Sequence, residues 1–132
     1  MSTGMFIVSV QAHYDSAHFL RNYKGKCERL HGHRYVVEAA LFTEEVDASG
    51  LAFDFIDVKR HLRAIANHLD HNNINELPPF DHLEPSAENQ ARYIFNELKQ
   101  RLPPEMGAAL LFVKVWETPT QWAQYSERAL FL

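Results

Sequence analysis

The apolar residues of this chain change their spacing twice, and that change restricts the fold more than any other feature. From Met5 to Gln11, Phe6, Val8 and Val10 alternate with Ile7, Ser9 and Gln11, and from His33 to Phe42 the same alternation runs through Tyr35, Val37, Ala39 and Leu41. Alternation places every second side chain on one face, so both runs predict β-strands. Between Asp54 and Asp70 the steps become four, three and four, through Val58, Leu62, Ile65 and Leu69. That is one stripe of an α-helix, with Asp54 as its N-cap. Pro85-Ser86-Ala87-Glu88 then supplies a capping hydroxyl and a first-turn acid, and Ala91, Ile94, Phe95, Leu98 and Leu102 form a second stripe that Pro103-Pro104 stops. Strand formers return from Ala108 to Glu117, and beyond Thr118-Pro119-Thr120 the segment from Trp122 to Leu132 predicts their hairpin partner.

The order ββααββ has no βα alternation. It predicts an α+β fold, a four-stranded antiparallel sheet with two helices on one face. At 132 residues this is one domain, 1–132, able to bury about two-thirds of its unfolded surface in a single core. The first and third strands carry apolar residues on both faces (Phe6 and Ile7; Leu111 and Phe112), so the helix-free face predicts a cover, and in so small a chain that cover is another subunit.

A net charge of -4 gives no electrostatic reason to bind nucleic acid. No apolar run approaches the roughly 20 residues of a membrane helix, and Met1 to Val10 lacks the basic end and long apolar stretch of a signal peptide. The expected location is the cytoplasm. A single cysteine, Cys27, rules out an internal disulfide and leaves either a small buried group or a thiol kept for its chemistry.

Eight histidines are many for this length, and most fall in the first 71 positions. His31-Gly32-His33 opens the second strand. Residues two apart on a strand share a face, about 7 Å apart along the backbone, so both imidazoles can chelate one ion. Gly32 leaves the opposite face bare. A stable site with one open position needs a third ligand, which His13 or His18 could supply. Three neutral imidazoles leave zinc its full double charge, which suits Lewis-acid chemistry on an oxygen ligand. Cys27 lies four residues before His31, and a thiol beside a dication ionises more readily, giving a base at neutral pH. At the end of the first helix, Asp70 precedes His71 in a pair fit for proton relay if the helix stops there, as Asn72-Asn73 suggests. Glu117 ends a strand that should be buried, where a carboxylate is costly unless it binds something.

Two other readings fit some of the same residues. Gly25-x5-His31-x-His33-x4-Glu38 matches the front half of a cupin metal motif, yet the two helices contradict a β-barrel, and Glu38 sits an odd number of residues past His33, on the other side of a straight strand. A closed structural zinc site would take Cys27 as its fourth ligand.

Cys27-x3-His31-Gly32-His33-x-Tyr35, Ala17-His18-Phe19-Leu20, Asp54-Phe55, Leu69-Asp70-His71, Pro85-Ser86-Ala87-Glu88-Asn89 and Trp116-Glu117-Thr118 together resemble the 6-pyruvoyl-tetrahydropterin synthase family over nearly the whole chain. The short gap between Cys27 and His31 is similar to its bacterial, 6-carboxy-tetrahydropterin-forming branch in the queuosine pathway. Many members carry Pro-Thr-x-Glu-Asn where this chain has Ser86. The resemblance implies a tunnelling fold (T-fold) whose sheets associate into a homohexamer of two trimers, with active sites between subunits. It implies zinc on His18, His31 and His33, choosing His18 over His13. Catalysis would fall to Cys27, Asp70, His71 and Glu117, with Glu117 also the pterin anchor. The implied substrate is 7,8-dihydroneopterin triphosphate, converted to 6-carboxy-5,6,7,8-tetrahydropterin, acetaldehyde and triphosphate; the pyruvoyl-forming elimination is the alternative within the family.

Overall fold

A computed structural model describes residues 4–127. It contains strands β1 (Phe6–His18) and β2 (His31–Thr43), helices α1 (Phe55–Leu69), α2 (Ala87–Arg101) and α3 (Pro104–Ala108), and strands β3 (Leu110–Thr118) and β4 (Gln121–Tyr125), with a 3₁₀ turn at Ile74–Glu76. The strands form one antiparallel sheet in the order β1-β2-β3-β4, so the expected α+β layer arrangement is present, with the two expected helices and the short α3 inserted between β2 and β3.

Both expected helices form where capping side chains and apolar stripes coincide. Asp54 caps α1 by accepting from the Ile56 N–H, and Ser86 caps α2 by accepting from the Asn89 N–H. Val58, Leu62, Ile65 and Leu69 of α1 and Ala91, Ile94, Phe95 and Leu98 of α2 are buried against the inward side chains of the sheet, Tyr14, Tyr35, Val37, Ala39, Val113 and Val115. Full burial of each larger side chain is worth about 1.5–3 kcal/mol against exposure. Pro103-Pro104 does stop α2, but Pro104 also starts α3, since proline fits the first helical position, whose N–H has no intrahelical partner.

The largest departure is the length of β1, which runs 13 residues to His18. Alternation continues past Gln11, with Ala12, Tyr14, Ser16 and His18 inward, but the last two are polar and so break the apolar signal. β4 is short, and the expected strand beyond residue 127 lies outside the described residues. The helix-free face carries Ile7 and Trp122, each about half exposed (54% and 50%), with Val36, Phe112 and Trp116 partly covered between them.

Candidate metal centre

The register of β1 with β2 builds the centre. His18 pairs with His31 and Ser16 with His33, so the three imidazoles project from the inner face of the sheet at its end, beyond the core. Their ring centroids lie 4.7 Å (His18 to His31), 5.3 Å (His18 to His33) and 5.0 Å (His31 to His33) apart, with planes at 65° to 88°. His13 is an odd number of residues from His18 and sits opposite Val36 on the outer face, away from this cluster. A step of five along a strand reverses the side, a signal that was available once β1 is extended.

Glu117 enters from β3. It follows Val113 and Val115 on the inner face, and its Oε1 lies 3.2 Å from His33 Nε2 and 3.7 Å from His18 Nε2. One ligand atom from each of His18, His31, His33 and Glu117 falls within 4.8 Å of the others. Cys27 is not part of this group, so the fourth neighbour of the histidines is a carboxylate and not the thiol of a closed structural site.

The donor set fits a metal ion. A carbonyl oxygen only accepts, so the nitrogen bonded to it carries the proton. His18 Nδ1–H donates to Pro85 O at 2.8 Å, and His31 Nδ1–H donates to Arg29 O at 2.8 Å. Each leaves a bare lone pair on Nε2, which is how a metal-ligating histidine is oriented by its outer partner. The Nε2 atoms of His18 and His33 are buried and face the Glu117 carboxylate without a well-formed hydrogen bond to it, a state that coordination would relieve. Burial holds His33 below its ordinary pKa, with the other two histidines pushing the same way and Glu117 partly offsetting them. A neutral ring at physiological pH is the ligating form.

Asp70 and His71 stand beside β1. Asp70 ends α1; its Oδ1 accepts the Asp15 N–H at 2.8 Å and its Oδ2 accepts His71 Nδ1–H at 2.8 Å. The Asp15 N–H, then His71, hold the Asp70 carboxyl below its usual range. His71 has φ 56°, a left-handed turn that brings the adjacent side chains together, and its own N–H donates to Asp15 O at 2.7 Å. The strand backbone thus positions the pair. Arg34 grips the Asp15 carboxylate with two hydrogen bonds of 2.9 and 3.0 Å.

Two open depressions meet at this end of the sheet. One, about 500 Å³, is lined by His33, Arg34, Asp15 and His71; the other, about 560 Å³, by His33, Arg34, Trp116 and Glu117. Gly32 lines both; a Cβ there would meet Ser16 O at an ordinary 3.6 Å, so its bareness widens the floor and relieves no clash. Cys27 is exposed on the β1–β2 loop and lines a separate depression with Tyr23, Lys24, Lys26 and Glu28. Glu38 points away from the histidines and accepts from Ser9 Oγ, which removes the cupin ligand set. Sequence reasoning missed the Pro85, Arg29 and Asp15 main-chain groups, because a backbone acceptor or donor leaves no mark in residue type.

The antiparallel sheet with its helices on one face and histidines at its end defines a T-fold protein with a candidate metal centre. The chain belongs to the 6-pyruvoyl tetrahydropterin synthase family, whose sequence pattern matches residues 7–128. It is 34% identical over 127 residues to the 6-carboxy-5,6,7,8-tetrahydropterin synthase of Synechocystis, covering 92% of this chain and 93% of that protein. The human 6-pyruvoyl tetrahydrobiopterin synthase is 34% identical over 105 residues, covering 76% of this chain and 70% of that protein. In three dimensions it resembles the Caenorhabditis elegans 6-pyruvoyl tetrahydropterin synthase, with TM-score 0.83 and 25% identity over 95% of this chain and 97% of that one.

Proposed function

We propose that this protein is a zinc-dependent 6-carboxy-5,6,7,8-tetrahydropterin synthase serving queuosine biosynthesis in the cytoplasm. With one water consumed, it converts 7,8-dihydroneopterin triphosphate to 6-carboxy-5,6,7,8-tetrahydropterin, acetaldehyde and triphosphate. The observation that carries the reading is the convergence of three imidazoles, two of them with Nδ1–H tied to carbonyls and Nε2 left bare. Relatives bearing that enzyme's name in Synechocystis and Haemophilus influenzae, at 34% and 30% identity, favour the carboxy-forming reaction.

His18, His31 and His33 hold the zinc. When bound, it supplies Lewis-acid polarisation of the substrate's side-chain oxygens, which acidifies the neighbouring C–H and O–H bonds. Cys27 serves as the base that takes a proton from the side-chain carbon. His71, oriented by Asp70, exchanges protons on the opposite side. Glu117 accepts from the pterin 2-amino group and adjacent ring N–H, a bidentate pairing that fixes the ring, and it borders the histidines closely enough to share in proton transfer. Electrons for ring reduction come from the substrate's own side chain, so the proposal requires no nicotinamide or flavin. The apolar helix-free face supports association into a homohexamer of two trimers.

Zinc-loaded protein incubated with 7,8-dihydroneopterin triphosphate should release acetaldehyde and 6-carboxy-tetrahydropterin in equal amounts. Triphosphate release with a pyruvoyl product and no acetaldehyde would overturn the assignment in favour of the elimination catalysed by the pyruvoyl-forming relatives.

A further inference from the structure

Gln90 is fully buried on the face of α2 that otherwise presents Ala87, Ala91, Ile94 and Phe95 to the core. A primary amide there is costly unless both of its ends are satisfied. Here they are, and the assignment has one solution. Gln90 Nε2 lies 2.9 Å from Pro85 O, which only accepts, so the amide nitrogen faces it. Gln90 Oε1 then faces the Tyr14 hydroxyl at 2.7 Å, and Tyr14, also fully buried, must donate. Pro85 O is the same atom that accepts His18 Nδ1–H. Its two lone pairs are therefore shared between the candidate metal ligand and Gln90.

Packing reinforces the chain of bonds. The Tyr14 ring stacks on Tyr35 at 5.0 Å and 19°, and Tyr35 lies edge-to-face with His18 at 5.7 Å and with His33 at 5.5 Å. Neither Gln90 nor Tyr14 lines either depression beside His33, so contact with substrate does not explain them. We propose that Gln90 and Tyr14 are positioning residues for the metal. Their buried hydrogen bonds hold the Pro85 carbonyl where it fixes the proton of His18 on Nδ1 and turns Nε2 toward the ion. This rests on the metal reading of the site, and not on which pterin reaction it performs.

The test uses the full chain with Tyr14→Phe and Gln90→Met combined, which removes both partners of the Tyr14–Gln90 bond together while keeping shape and leaves Pro85 O with the His18 Nδ1–H alone. Replacing both partners of a buried hydrogen bond by apolar groups is close to neutral for folding, so the metal-free variant should melt near the wild type. Zinc affinity, measured by chelator competition, should fall roughly tenfold, the low end of what outer partners of a ligating histidine contribute. In the metal-free protein, nitrogen-15 NMR should show His18 in the Nδ1–H form, with that proton exchanging faster in the variant. Zinc affinity and His18 exchange both unchanged would overturn the proposal, as would an affinity loss matched by general destabilisation with the His18 tautomer unaltered. Should the double variant fail to fold, Tyr14→Phe alone keeps both rings stacked and should show a smaller shift in the same two readouts; no shift in either overturns it. Neither readout needs substrate, so failure of the enzyme assignment leaves a separate signature, normal zinc binding without acetaldehyde.

Discussion

Two carbonyl oxygens select the tautomers of two histidines in this centre. Pro85 O and Arg29 O accept from the Nδ1–H of His18 and His31, so those rings present Nε2 without any need for a charged partner. Cys27 stands outside the ligand cluster, and its replacement separates two roles. Cys27→Ala should keep full zinc occupancy by metal analysis while turnover falls by about 10²–10⁴, the usual contribution of a positioned acid or base. Loss of zinc from that variant would make the thiol a ligand instead. Asp70 gives a pH-dependent counterpart. Its carboxyl is held below the ordinary value of 3.8 by the Asp15 N–H and by His71. A lowered folded pKa means the stabilisation is complete above the free carboxyl value and disappears as pH falls through the lower, folded one. Asp70→Asn should therefore melt below the wild type at pH 5 to 7, with the two curves converging in more acidic buffer. A constant gap down to pH 3 would assign the difference to packing.

The elements that carry these residues were legible to different degrees, and the physical reason is the same throughout. α1 and α2 have apolar stripes and capping side chains, so Val58, Leu62, Ile65, Leu69 and the caps Asp54 and Ser86 can be read from spacing alone. β1 could be read only to Gln11, since its inner face turns polar at Ser16 and His18 where the core ends and the metal centre begins. Function interrupts the folding signal there. Ser86 couples helix capping to the metal centre, because it caps α2 next to the carbonyl that orients His18. Ser86→Ala should cost about 0.5–2 kcal/mol in thermal or denaturant unfolding. A threonine at the same position should restore most of it, because the capping oxygen is retained.

At the scale of the whole molecule, the chain presents its chemistry in separate places. His33, Asp15 and His71 share one depression, whereas Cys27 lines another with no residue in common. The sheet face bearing Ile7 and Trp122 is uncovered by any helix, and burying it against further copies would remove apolar surface worth about 25 cal/mol per Å² from water. Association of copies offers a route by which Cys27 of one subunit completes the site of the next. Two inactive variants test this together. Cys27→Ala and His71→Ala are each expected to be nearly inactive as pure assemblies. If a site draws these two residues from different subunits, mixed assemblies refolded from both variants contain some interfaces with an intact Cys27 facing an intact His71, and activity returns to about a quarter of the wild-type value per site at equal mixing by random assortment. If each subunit supplied both residues to its own site, every site in the mixture would still lack one of them. Activity would then stay at the level of the separate variants, and the intersubunit site would be ruled out.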